Sequence, residues 1–251
     1  TCDELEKNQR RAARWALGIQ GWRVANEFLE GELNWTSFEA REAKSKLKYR
    51  ARIESMPASR WPRAIMDMII LQKLKTKTSG RMEELNSKFD CKTLRVEHDE
   101  RGRALLGLFY RQLDERIKSS LDITWAKGMA DKSMLKMYMQ HKESRTSAVH
   151  LYDNGRGSAL LALARAGSLP TRVYKSHFST NPETTCGRCG VYAETLKHVI
   201  FECNDPYHTT EALCTRIGLS EELNLPAVDA TKRLLERWER ENNGFAELAR
   251  A

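Results

Sequence analysis

Apolar positions recur at helical spacing along most of the chain, and strand-like alternation is scarce. Over 5–17, Leu5, Ala12, Ala13, Ala16 and Leu17 supply the apolar or small positions, Arg10, Arg11 and Arg14 occupy the wetter side, and Gly18 supplies a stop. A second helix is expected over 22–30. Thr36 and Glu39 then form a capping box for a helix over 37–55 that buries Phe38, Ala43, Leu47 and Ala51. Pro57 ends that helix, and Pro62, just behind Arg60 and Trp61, opens the next, which runs through Ile65, Met68, Ile69 and Leu71 towards Leu74. A loop is expected over 75–80, and 86–103 is polar and poorly patterned. Helical spacing resumes over 104–121, 132–140, 159–166, 209–217 and 229–241, the last carrying Leu234, Leu235 and Trp238. Asn154-Gly155-Arg156-Gly157-Ser158 lacks the Gly-Lys-Ser or Gly-Lys-Thr of a P-loop, so it reads as a tight turn with a helix cap.

These elements predict a mainly α chain: an irregular multi-helix region over 1–180, then a small zinc knuckle with a helical tail over 181–251. The knuckle rests on Cys186, Cys189, His198 and Cys203, in the order Cys-x2-Cys-x8-His-x4-Cys. Three thiols and an imidazole are the donors that tetrahedral Zn2+ prefers, and four protein ligands leave no open position for water, so one structural ion is expected. Gly187 and Gly190 are read as easing the bend between the first two cysteines through positive φ. His198 and Cys203 belong to a short apolar run expected to form a helical turn. Cys2, Cys91 and Cys214 have no paired spacing and read as free thiols. His208 is a spare candidate ligand beside a set already complete.

Charge changes the picture next. Lys plus Arg number 42 against 34 Asp plus Glu, a formal charge of +8 and a pI near 9.2, which favours an anionic partner such as RNA or DNA. The stretch 41–63 concentrates this charge, whereas 211–251 is net acidic. The candidate phosphate contacts are Arg41, Lys44, Lys48, Arg52, Arg60 and Arg63, since cations on successive helical turns can neutralise several phosphates. Of the six tryptophans, Trp61 beside Arg60 and Arg63 is the best candidate for base stacking. Arg188, in the knuckle, and its neighbour Tyr192 are candidates for single-strand contact.

No run approaches the roughly 18 apolar residues of a membrane helix, and no signal segment opens the chain, so an intracellular protein of the nucleus or cytoplasm without a membrane partner is expected. The chain begins at Thr1 on what looks like the middle of a protein, which predicts a fragment. It contains no Asp-Asp pair and no set of nucleophile, base and orienting group, so the fragment itself is expected to be non-catalytic.

The stretches Leu5-Glu-Lys-Asn-Gln-Arg-Arg-Ala-Ala-Arg-Trp-Ala-Leu-Gly18, Trp35-Thr-Ser-Phe-Glu-Ala-Arg-Glu42 and Gly157-Ser-Ala-Leu-Leu-Ala-Leu-Ala-Arg-Ala-Gly-Ser-Leu-Pro-Thr171, followed by the cysteine-histidine cluster, carry a resemblance. Together they resemble the C-terminal part of non-LTR, LINE-type retrotransposon reverse transcriptases, with the nearest likeness to tick transposon proteins. The resemblance covers most of the chain. It implies a helical linker and terminal zinc motif behind an RNA-directed DNA polymerase, with that upstream polymerase region as a partner and RNA or DNA as ligand. The family's catalytic aspartate pair and nuclease residues have no counterpart in this sequence. The metal cluster is what carries over, with a Cys-to-His interval longer than in the retroviral knuckle. The rival expectation is a helical interaction module that packs on the polymerase, with zinc only closing the fold.

Overall fold

The computed structural model describes residues 2–21, 23–180, 183–203 and 225–248, and in the last helix the side chains of 228–240. The helices are α1 (Cys2–Ala16), α2 (Asn26–Leu33), α3 (Phe38–Glu54), α4 (Trp61–Leu71), α5 (Lys77–Lys88), α6 (Leu106–Ala130), α7 (Lys136–His141), α8 (Arg156–Arg165), α9 (Arg172–Ser176) and α10 (Leu225–Leu248). Among the described residues there is no β-strand, only isolated bridges at His98 with Ala104 and Thr185 with Ala193. The protein is mainly α, as its periodicity predicts. The helix expected over 209–217 lies outside the described residues.

The chain divides into two compact units, one of Thr1–Glu6 with Thr36–Thr124 and one of Lys7–Trp35 with Trp125–Ala251. A boundary near residue 180 does not describe this division. The reason is shared burial: Leu160, Leu161 and Leu163 of α8, Val199 and Ile200 near the cysteines, and Leu234, Leu235 and Trp238 of α10 all enter one hydrophobic core.

In the first unit, α3 is capped one residue later than expected. The Ser37 hydroxyl accepts from the Ala40 N–H at 3.2 Å, and the Glu6 carboxylate accepts from the N–H groups of Phe38 and Glu39 at 2.5 and 3.4 Å. These bonds satisfy donors that the first helical turn leaves orphaned. The small and apolar stripe Ala40, Ala43, Leu47 and Ala51 then packs with Leu85, Phe89, Phe109, Leu113 and Ile117. The expected loop over 75–80 instead enters α5, whose start is closed by reciprocal hydrogen bonds between Thr76 and Ser79. That helix buries Met82 and Leu85, a stripe too thin for periodicity to reveal. By contrast, α4 buries none of its residues.

In the second unit, Phe28 and Leu29 of α2 pack with Trp125 and Met129, which lie in a continuation of α6 beyond its expected end at 121. The Trp125 indole donates to the Glu27 carbonyl at 2.7 Å. Glu32 is wholly buried and accepts from the Arg165 guanidinium at 2.9 Å and from the Tyr152 hydroxyl. Burial would raise the Glu32 carboxyl, but the charge and hydrogen bonds of Arg165 hold it below the ordinary carboxylate value. Helix α8 lies along α10, flanked by ion pairs from Lys232 to Asp153 at 2.6 Å and from Arg156 to Glu239. The Asp153 carboxylate also accepts from Gly155 N–H and Ser158 Oγ–H, and Glu236 accepts from Gly157 N–H. The start of α8 is thus the capped tight turn read from 154–158, with its donors taken by carboxylates.

Candidate metal centre

Cys186 and Cys189 stand on a tight turn closed by a 2.9 Å bond from the Gly190 N–H to the Cys186 carbonyl. Gly190 has φ +65°, the left-handed conformation that glycine adopts without penalty. Gly187 does not share it. A side chain at Gly187 would meet the Arg172 guanidinium at 2.9 Å, so this glycine makes room for an arginine and does not supply the positive φ expected of it.

The turn tips a short antiparallel ribbon, in which Cys186 N–H donates to the Tyr192 carbonyl and Glu194 N–H to the Thr184 carbonyl, both at 2.7 Å. The Glu194 side chain, 1% exposed, accepts from the Arg172 N–H at 2.9 Å and reaches the Gly187 N–H at 3.5 Å. It ties the start of α9 to the metal turn. Sequence pattern offered no reason to single out this one acid; its role follows from where the ribbon folds back.

The second ligand pair sits on a single π-helical turn, His198–Glu202, in which the Cys203 N–H donates to the His198 carbonyl at 2.8 Å. That bond joins the two residues that carry the ligands. Thr195 Oγ1 accepts from the His198 N–H at 3.0 Å and fixes the entry to the turn.

Cys186 Sγ lies 3.9 Å from Cys203 Sγ, Cys189 Sγ lies 3.4 Å from His198 Nε2, and all four donor atoms fall within 4.8 Å of one another. A tetrahedral ion with bonds of about 2.3 Å to sulfur and about 2.0 Å to nitrogen requires edges of about 3.8 Å between sulfurs and about 3.6 Å from sulfur to nitrogen. The cluster can therefore hold a metal ion after only small adjustment, and its donor set is compatible with zinc. The N–H of Tyr192 is the chief influence that pulls the Cys189 thiol below its ordinary value, favouring the thiolate that metals bind. Tyr192 also tilts its ring against His198, with centroids 5.8 Å apart.

No family model, curated protein or solved structure matches the chain.

The candidate phosphate contacts meet different fates. Lys44 and Lys48 converge on one carboxylate, Asp114, at 3.4 and 2.8 Å, and Lys48 also lies over the Tyr110 ring. Arg63 bonds Asp67 at 2.9 Å and the Glu54 carbonyl. Arg41 bonds the Thr36 carbonyl at 2.8 Å and covers the Phe38 ring. Arg52 and Arg60 are exposed, with no ion pair among the described residues, and Trp61 beside Arg60 is 80% exposed. Arg188 is half-buried next to Cys189. Most of the cations on α3 are thus matched within the unit by carboxylates, a pairing over separations such as 48 to 114 that sequence spacing cannot reveal.

Proposed function

We propose that this chain is a non-catalytic accessory region of a retrotransposon-type reverse transcriptase that binds single-stranded RNA or DNA, with its C-terminal part ordered by one structural zinc ion. The observation that carries the reading is the closed donor set: four protein ligands gathered within 4.8 Å on a chain of formal charge +8. Such a centre offers folding energy and no vacant position for chemistry. The resemblance in 5–18, 35–42 and 157–171 supports the parentage.

Zinc would be held by Cys186, Cys189, His198 and Cys203, and nucleic-acid phosphates would meet Arg52 and Arg60 before the carboxylate-matched Lys44 and Lys48. The test is fluorescence anisotropy of labelled single-stranded RNA and DNA against the zinc-loaded chain across a salt series, with bound metal measured on the same sample. The expected result is one zinc per chain and binding that weakens with salt. Replacing Arg52 and Arg60 by alanine should flatten the salt slope by about 2, one unit for each phosphate no longer neutralised. A folded wild-type chain that binds neither strand at low salt would overturn the reading.

One observation favours a second function, a surface that packs on another protein. Trp61, Ile65, Met68 and Leu71 of α4 are all exposed, Leu71 to 80%. Exposed apolar surface of this kind marks interaction sites. Under that reading, a polymerase region supplied in trans would protect α4 from proteolysis while RNA would not.

A further inference from the structure

A concave surface in the second unit lies where α1 ends. Helix α1 closes with a Schellman pair, Gly18 N–H to the Trp15 carbonyl at 3.0 Å and Ile19 N–H to the Arg14 carbonyl at 2.9 Å. The chain then doubles back. Ile19 and Val24 are both buried, 0% and 6% exposed, so each is held against the core. This reversal lays Gln20, Gly21 and Arg23 alongside Asn8, Arg11, Arg14 and Trp15, and together they line a cleft of about 920 Å³. That is within the range of small-ligand clefts, about 300 to 1,000 Å³.

The chemistry of the lining is specific. Among the described residues, three arginines contribute to the lining and no carboxylate does. Arg11 and Arg23 are exposed and have no ion pair among the described residues, while Arg14 reaches only the Arg10 carbonyl at 3.5 Å. Trp15 is 72% exposed although the core of its own unit begins two residues away on either side, at Ala13 and Leu17. Arg11, Arg14 and Trp15 are three and four residues apart, so they share one helix face. Asn8 and Gln20 add amide donors and acceptors at the rim.

We propose that this cleft is a nucleotide subsite for single-stranded nucleic acid: Trp15 stacks on an unpaired base, and Arg11, Arg14 and Arg23 hold the adjoining phosphates. The proposal rests on the nucleic-acid reading above and deepens it by naming the residues of one subsite and the base-stacking contact within it. An acidic peptide would match the charge but leave the indole face uncovered. A duplex would match the charge but hide its base faces. A single strand supplies an anion and a flat π surface at each step, which is the combination this lining presents.

The experiment uses the full zinc-loaded chain and fluorescein-labelled 12-mers of single-stranded RNA, an abasic strand of equal charge, and a duplex, with polyglutamate as competitor. Trp15→Ala is expected to weaken binding of the single strand about tenfold, within the range of one base stacked on an aromatic. Trp15→Phe should recover part of that loss. Trp15→Ala should leave affinity for the abasic strand and the duplex unchanged. Arg11→Ala with Arg23→Ala should weaken all three ligands and reduce the salt slope by about 2. Wild-type binding with no difference between Trp15→Ala and wild type on the single strand overturns the subsite while leaving the broader reading intact. Equal displacement by polyglutamate and by unlabelled RNA of the same charge overturns the base-stacking element. A wild type that binds none of the nucleic acids removes the broader reading and the subsite with it. Trp15 and both arginines are exposed, and matched circular dichroism of the variants confirms that folding is retained.

Discussion

Helices α8 and α4 are of similar length and both rich in apolar residues, yet every residue of α8 from Gly157 to Arg165 is buried and none of α4 is. The difference lies in what each side chain has opposite it. Small residues at Gly157, Ala159, Ala162 and Ala164 let α8 pack closely, and α10 lies against it. A Cβ at Gly157 would come within 2.7 Å of both Glu236 and Lys232 of α10. On α4, Trp61, Ile65, Met68 and Leu71 project large side chains that find no such cover. Apolar composition therefore states what a helix could bury, and the partner decides what it does bury.

That contrast can be tested at several strengths. The largest effect is expected from Arg165→Ala, which leaves the Glu32 carboxylate buried without its guanidinium; loss of one partner of such a pair costs about 3 to 5 kcal/mol. Urea denaturation followed by circular dichroism reads it. Next, Leu161→Ala should cost about 2 to 5 kcal/mol through the cavity it opens in a fully buried position. Metal removal follows: with free zinc a hundredfold above Kd, chelation or Cys189→Ser should lower the stability of the second unit by about 2.7 kcal/mol. The change is read by thermal melts with and without chelator, and by new cleavage sites within 183–203 in limited proteolysis. On α4, Ile65→Ala should remain within about 0.5 kcal/mol of wild type, the range for surface changes. A cost comparable to that of Leu161→Ala would show that the α4 face is covered in solution.

The smallest effect concerns pH. Arg81, and after it Lys46, hydrogen-bonds the Glu42 carboxylate and holds its pKa at about 2, against an ordinary 4.5. A carboxyl held low contributes stability that is complete above about pH 4.5 and is lost as pH falls towards 2. Glu42→Gln should therefore flatten the dependence of the urea midpoint on pH in that window while changing little in the second unit.

Much of the metal centre was legible before folding, because ligand spacing is local: two cysteines three apart, then a histidine and a cysteine five apart. The helices with a broad apolar or small-residue stripe, α3 and α8, were legible for the same reason. Helix α5 was not, since Lys77–Lys88 is mostly polar and carries Gly80 inside it. The extension of α6 left a trace in Leu121, Trp125 and Met129, four residues apart, which length expectations masked. Long-range pairings left none. That Lys44 and Lys48 share Asp114, that Glu194 reaches back to Arg172, and that Arg23 returns beside Trp15 all depend on reversals whose direction is set by tertiary packing. Gly18 was readable as a stop, but not where the chain goes afterwards.

The discontinuous second unit has a consequence for the order of events during synthesis. Residues 36–124 are contiguous and emerge from the ribosome ready to assemble with one another and with the earlier residues 2–6. Glu32 must wait for Arg165, 133 residues later, which at about 5 to 20 residues per second is a delay of roughly 7 to 27 s. Throughout that interval, the Glu32 carboxylate of α2 lacks the guanidinium that neutralises it in the folded unit. A nascent chain arrested just short of Arg165 should therefore display α2 to chaperones, and one released a few dozen residues later should not.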